Sequence, residues 1–181
     1  DPDQNKRIAC IAFDVSELKT LRELAQKASQ PFGAPDILVN AAGLNPRKPW
    51  NELTPEIWEY TLRLNLSAPF FLAQALVPEM MRQGWGRIIN IASTVGTVGA
   101  PGLDAYASTK GAVIQLTRSM AADYAAEGIL VNAVCPGGTL TPLMCGIEAN
   151  GSLDDFASLF PIKRLAQPEE IAAMIVFLAS D

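Results

Sequence analysis

Tyr106 and Lys110 stand four residues apart in "DAYASTKGAV" (104–113), among small residues that favour a helix. At that spacing both side chains project from one helical face. The same spacing also suits an exposed lysine lying over a ring, but an ammonium beside a phenol has a chemical use. A phenol titrates near pH 10 and is a poor base at neutral pH. A neighbouring positive charge favours phenolate, so Lys110 is expected to bring Tyr106 toward the working range. The chain contains no histidine. That removes Ser-His-Asp hydrolysis, Cys-His proteolysis, zincin-type metal sites and a histidine general base. Proton transfer near neutrality therefore falls to a perturbed Tyr, Lys, Asp, Glu or Cys. Ser93 lies thirteen residues upstream, immediately past an apolar run, and Asn65 sits in "LRLNLSAPFF".

Something must hold these groups in place. Four short apolar runs recur: "RIACIAFDV" (7–15), "DILVNAAG" (36–43), "GRIINIAS" (86–93) and "ILVNAVCPG" (129–137). Each is rich in Ile and Val without strict alternation, as expected of strands buried on both faces of a parallel sheet. Helical patterns lie between them. Ser16 is placed to cap "ELKTLRELAQKA", with Leu18, Leu21 and Leu24 on one face. Thr54-Pro55-Glu56 opens another helix with Pro at its first position, and "PEEIAAMIVFLAS" (168–180) begins with the same device. Alternating strand and helix means an α/β fold with right-handed crossovers. Ligands of such sheets bind beyond the carboxyl ends of the strands. Asp14 and Val15, Asn40 to Gly43, Ser93, and Pro136-Gly137 all fall there.

Composition narrows the partners. The chain has 181 residues, 49% of them hydrophobic, and a net charge of -5. That balance, with no basic run, argues against nucleic acid or an anionic membrane surface. No apolar stretch approaches the roughly 20 residues needed to span a bilayer. Cys10, Cys135 and Cys145 show neither paired nor metal-like spacing and read as reduced core residues of a cytoplasmic protein. No metal site is expected. Trp50, Trp58 and Trp85 read as packing residues.

With these residues in view, the chain resembles the short-chain dehydrogenase/reductase family. "ILVNAAG", the Asn of "LRLNLSAPF", "GRIINIAS", "AYASTKGA", "GILVNAVCPGG" and "RLAQPEEIAAMIVFLASD" occur in that family's order and spacing, from about Asp14 to the last residue. The resemblance implies a Rossmann-type doubly wound parallel sheet in a single domain over 1–181. It also implies an NAD- or NADP-dependent oxidoreductase interconverting a secondary alcohol and a ketone. Asn65, Ser93, Tyr106 and Lys110 match the family's catalytic tetrad. Tyr106 would exchange the proton, Ser93 would hydrogen-bond the reacting oxygen, Lys110 would also bind the nicotinamide ribose, and Asn65 would help hold a water of a proton relay. Asp14 and Val15 correspond to the adenine contact, although Asp14 suits a helix cap equally well. Asn40, Ala42 and Gly43 correspond to the adenosine side. Pro136, Gly137, Thr139 and Thr141 correspond to the nicotinamide loop. Where the family most often has Asn-Asn-Ala-Gly, this chain has Asn-Ala-Ala-Gly, which puts a sheet-stabilising bond in question.

The resemblance also marks what the sequence does not contain: the Gly-rich strand–turn–helix that cradles the pyrophosphate, the residue separating NAD from NADP, and the last strand. The expectation is an interior piece of a protein of about 250 residues, one that by itself should bind dinucleotide poorly. In the family sheet order 3-2-1-4-5-6-7, the 7–15 run would lie beside a gap. Both 3-oxoacyl thioester reduction and sugar or polyol oxidation fit, and "RKP" after the Asn-Ala-Ala-Gly turn is similar to sugar-acid dehydrogenases. The segment 141–160 has the character of a lid that sets specificity. A dinucleotide-binding regulator without turnover and a non-functional truncated product are the rivals. The helices at 66–81 and 105–126 are apolar on more than one side, so they are expected to pair across a two-fold axis in a homotetramer or homodimer.

Overall fold

The structure, a computed structural model, describes residues 8–144 and 152–181. Its centre is a parallel sheet of β1 (Ile37–Asn40), β2 (Gly86–Ile91) and β3 (Ile129–Val134), in that order. β2 is the middle strand, and "GRIINI" is buried over nearly its whole length, which suits an Ile-rich run paired on both edges.

Helices cover both faces. Ile88, Ile129 and Val131 point into a core built with Ala73, Leu76, Val77 and Met80 of α3 (Ala68–Gln83), Met120 of α5 (Asp104–Tyr124) and Ala25 of α1 (Leu21–Ser29). Asn90 faces the same way and donates to Thr117 Oγ1 of α5 at 3.0 Å. Strand alternation sends Arg87 and Ile89 to the opposite face. There Arg87 Nε donates to Ser180 O at 3.2 Å, just past α7 (Pro168–Ala179), and its guanidinium lies 4.3 Å from the Trp85 ring centroid. A cation at a helix C-terminus is favourably placed. This layering is the doubly wound α/β arrangement expected.

The helix starts follow their sequence signals with one exception. Thr54 Oγ1 accepts from Ile57 N and caps α2 (Pro55–Leu62). α7 begins with Pro168 behind a Gln167–Glu170 capping box. Ser16 does not cap α1. A short 3₁₀ turn, Leu18–Thr20, precedes that helix, and Asp14 Oδ1 accepts from Ser16 N at 2.9 Å. Asp14 therefore performs the local capping, and Ser16 is buried behind it.

The 7–15 run also departs from expectation. Residues 8–14 form no strand, and Ile8 and Ile11 are 72% and 39% exposed. A strand exists only through a neighbour's ladder. Among the described residues none lies beside this run, and the outer edge of β1 is likewise open at Ile37 and Val39. Cys10 is exposed for the same reason, and Cys135 is exposed past β3; both thiols are free, and neither is a core residue. Cys145 lies outside the described residues. Trp50 is largely exposed and Trp58 partly so.

Candidate active site

Asn65 occupies an unusual piece of helix. α2 runs into α3 through a π-helical turn, Arg63–Ser67. Such turns redirect one side chain from the helical register. Asn65, 1% exposed, turns toward the loop after β1 and clamps one residue. Its Oδ1 accepts from Leu44 N at 2.9 Å, and its Nδ2 donates to Leu44 O at 2.9 Å and to Thr109 Oγ1 at 3.1 Å. Thr109 Oγ1 donates onward to Tyr106 O at 2.7 Å. The loop after β1 and the first turn of α5 are thus joined through one carboxamide.

Lys110 is buried beneath this junction. Its Nζ donates to Ile91 O at 2.5 Å and lies 5.6 Å from the Tyr106 ring centroid. Gly43 sits against both groups: a Cβ there would meet Asn65 Oδ1 at 3.2 Å and Lys110 Nζ at 3.7 Å. Only a bare Cα allows a ligand to lie over the ammonium at this point.

Ser93 is held by continued pairing of β2 and β3 beyond their regular ladder. Ala92 N donates to Val134 O at 2.8 Å and Thr94 N to Pro136 O at 3.0 Å. This sets Ser93 beside Pro136 and Gly137. The turn then enters α4 (Val95–Val98), whose Gly96 passes so close to α5 that a Cβ would stand 2.7 Å from the Lys110 carbonyl carbon. Ser93, Tyr106, Gly43, Pro136, Gly137, Thr139 and Thr141 all line one cavity of about 490 Å³. Thr139 is fixed by a bridge to Ala166, and Thr139 Oγ1 donates to Gly137 O at 3.3 Å.

Not every expected residue joins this cavity. Asp14 and Val15 lie outside its lining. The Asn40 side chain is committed inside the sheet, donating to Asn90 Oδ1 at 2.8 Å, so the Asn40–Asn90–Thr117 chain ties β1 to β2 and β2 to α5 without a second asparagine at position 41. Ala42 is exposed at the end of β1, short of the cavity. Part of the expected lid, residues 145–151, lies outside the described residues. Its flanks contribute Met144, Phe156 and Phe160 to the cavity wall, Phe156 from α6 (Leu153–Ser158).

The electrostatics correct one expectation. Burial pushes the Tyr106 phenol above its ordinary value, and a hydrogen bond with Ser93 opposes this only in part. No effect of Lys110, whose ammonium bonds Ile91 O and is itself desolvated, outweighs this burial. Burial brings Lys110 down to about 8, opposed by the nearby Cys135. At pH 7 such a lysine is still about nine-tenths protonated.

The sequence singles out Ser93, Tyr106, Lys110 and Asn65, and Arg47 only within "RKP", but not Gly96, Thr109 or Asn45. Gly96 and Gly111, one on each side of a helix crossing, were the available signal for the close approach; a Cβ on Gly111 would stand 3.0 Å from Gly96 O. Among the described residues there is no cluster suited to a metal and no helix long and apolar enough to cross a membrane.

A family model described as enoyl-(acyl carrier protein) reductase matches residues 3–181. Cis-4-hydroxycyclohexanecarboxylate dehydrogenase of Sinomonas cyclohexanicum is 38% identical over 180 residues, covering 99% of this chain and 72% of that protein. The 3-oxoacyl-[acyl-carrier-protein] reductase of Thermotoga maritima is 36% identical over 169 residues, covering 93% and 68%. A solved structure of a gluconate 5-dehydrogenase from Burkholderia cenocepacia, in complex with NADP and tartrate, superposes with a TM-score of 0.87 at 37% identity. That match covers 93% of this chain and 66% of the other.

Proposed function

The chain belongs to the short-chain dehydrogenase/reductase family, and from that premise we propose that it interconverts a secondary alcohol and a ketone with NAD or NADP, using Tyr106 as acid and base. The observation that carries this reading is the meeting of Ser93 and Tyr106 on one cavity wall with Lys110 and Asn65 directly beneath it. The site fits a nicotinamide ribose. Lys110 has three N–H donors and gives one to Ile91 O, which leaves two for vicinal hydroxyls, and Gly43 leaves room above them. Pro136, Gly137 and Thr139 flank the same space. When bound, the cofactor gives or takes the hydride.

This chain's own residues handle the proton. In reduction the neutral phenol of Tyr106 donates its proton to the carbonyl oxygen as that oxygen becomes an alkoxide. In oxidation the phenolate accepts the proton of the alcohol. Ser93 Oγ donates to the same oxygen and holds it against Tyr106. Lys110 stabilises the phenolate form through its charge. Asn65 fixes the loop and α5 relative to one another, and so fixes the distance across which the proton moves.

The comparison proteins act on hydroxy acids and on 3-oxoacyl groups, and both fall within this reaction. We assign the work to the cytoplasm, consistent with the free thiols of Cys10 and Cys135. Association as a tetramer or dimer is supported by α3, where Phe70, Phe71 and Met81 stay about 40% exposed on the side away from the core. The decisive test is Tyr106→Phe in the full-length enzyme, with NAD(P)H formation followed spectrophotometrically over a panel of secondary alcohols. Loss of 10²–10⁴-fold in kcat with cofactor still bound is expected. A rate within about threefold of the parent refutes the role. Cofactor binding with no turnover in the parent favours a regulatory binder instead.

A further inference from the structure

The segment between the β1 turn and the cavity mouth is fixed at both ends. Leu44 is gripped through its N–H and its C=O by Asn65, and Lys48 N donates to Gly102 O at 3.3 Å. Pro46 stiffens the middle of the segment and restricts Asn45 before it. Asn45 and Arg47 both line the cavity that Ser93 and Tyr106 line.

Arg47 is a solvent-exposed residue on that lining. Arg47 is the only charged residue on the cavity lining among the described residues, and no carboxylate faces it. The adjacent Lys48 pairs with Glu52 at 3.7 Å, whereas none of the described ion pairs involves Arg47. Much of the rest of the lining, Phe156 and Ile171 included, is apolar. A guanidinium beside low-dielectric walls and without a counter-ion recognises a planar anion with two hydrogen bonds.

We propose that Arg47 binds a carboxylate of the substrate, so that the enzyme's substrates are hydroxy acids and their keto counterparts. This rests on the dehydrogenase reading of the same cavity, and it adds the group that selects the substrate. In this arrangement the reacting carbinol lies at Ser93 and Tyr106 and the acid group at Arg47, all on the lining of one cavity.

The test uses the full-length enzyme and matched pairs: D-gluconate with D-sorbitol, L-tartrate with L-threitol, and 4-hydroxycyclohexanecarboxylate with 4-methylcyclohexanol. The parent should prefer the acid in at least one pair. Arg47→Met should cut the acid-to-neutral ratio of kcat/KM about 10- to 100-fold, the scale of one charged hydrogen-bonded contact. The loss should appear mainly in KM, and Arg47→Lys should recover part of it. Equal use of acids and neutral alcohols, preference for 6-phosphogluconate over gluconate, or a fall in NADP affinity matching the fall in acid binding would each overturn the proposal. The last outcome would assign Arg47 to the cofactor. If nothing is oxidised, calorimetry of D-gluconate and D-sorbitol on NADP-saturated protein decides. Arg47-dependent binding of the acid alone keeps the proposal and sinks the dehydrogenase reading. Equal or absent binding sinks the proposal.

Discussion

Gly96→Ala should damage catalysis although Gly96 touches no reacting atom. An added Cβ would stand 2.7 Å from the carbonyl carbon of Lys110, 2.8 Å from Gly111 N and 3.0 Å from Lys110 O. Ordinary carbon contacts lie near 3.5–4.0 Å, so α4 and α5 must separate by about 1 Å. All three atoms are backbone, and no side chain can rotate away to relieve the contact. The displaced segments carry the chemistry: Ser93 precedes Gly96 by three residues, with Gly96 N bonded to Ser93 O at 3.0 Å, and Lys110 is the residue struck.

Overpacking of this kind costs ~1–3 kcal/mol, or about 2–4 °C of Tm for each kcal/mol in a protein of 150–250 residues. Misplacing catalytic groups by about 1 Å can cost 10²-fold in rate. The rate effect should therefore exceed what partial unfolding explains. The assay is kcat and kcat/KM of the full-length enzyme at a temperature well below both melting points. Gly99→Ala is the control. Gly99 adopts φ 69°, so alanine there is strained, but nothing lies within 4 Å of its Cβ position. Gly99→Ala should lose a similar amount of stability and much less rate. Gly96→Ala with parental kcat and Tm, or two variants with equal rate losses, would refute the geometry.

Three other outcomes are expected. Lys110→Met should weaken cofactor binding and remove the decline in affinity expected of the parent as pH rises through about 8. Because the folded lysine sits at about 8 and the unfolded one near 10.5, the unfolded chain holds more protons between those values. Parental stability should thus rise relative to Lys110→Met in urea melts from pH 8 to 10. Asn65→Ala deletes three hydrogen bonds and should lower stability by about 2–4 kcal/mol, seen as a lower urea midpoint at unchanged m. Light scattering of the full-length protein at micromolar concentration should give a tetramer or dimer mass, and Phe70→Glu should shift it toward monomer.

The proposed chemistry is legible in the sequence because it rests on short-range spacing. Four residues within α5 fix the relation of Tyr106 to Lys110 whatever surrounds them, and Ser93 follows an Ile-rich run whose burial hydrophobicity alone specifies. What depends on partners was not legible. The 7–15 run has a strand's composition, but strand formation is a relation to a neighbour, and the same reason exposes Cys10. The Asn40 side chain reads equally well as a ligand contact or a sheet tie until Asn90 is seen opposite it. Gly96 has no signature except another glycine across a crossing that only the fold creates. "RKP" marks Arg47 only as a similarity to sugar-acid dehydrogenases; that it stands on the cavity lining with no carboxylate there appears only in the fold.

The sign of the Tyr106 shift belongs to the same class, and it has a chemical consequence. Spacing says that an ammonium is near a phenol; it does not say that both are buried. Burial disfavours phenolate and ammonium separately, raising one group and lowering the other. It does not penalise the two charges together to the same extent, because they attract more strongly where water is excluded. The phenol and the ammonium therefore titrate as a pair, and with Lys110 at about 8 and Tyr106 above its ordinary value the resting form at neutral pH is neutral phenol beside ammonium. Reduction starts from the neutral phenol and ends at phenolate; oxidation runs the reverse. Ser93, bonding the phenol side, and Ile91 O, bonding the ammonium, each favour the charged form from within the protein. A site that made Tyr106 permanently phenolate would be a poor acid, and one that left it an ordinary phenol would be a poor base. Burial holds Tyr106 in the neutral form from which reduction starts, while the Ser93 hydrogen bond and the Lys110 charge favour the phenolate that oxidation needs.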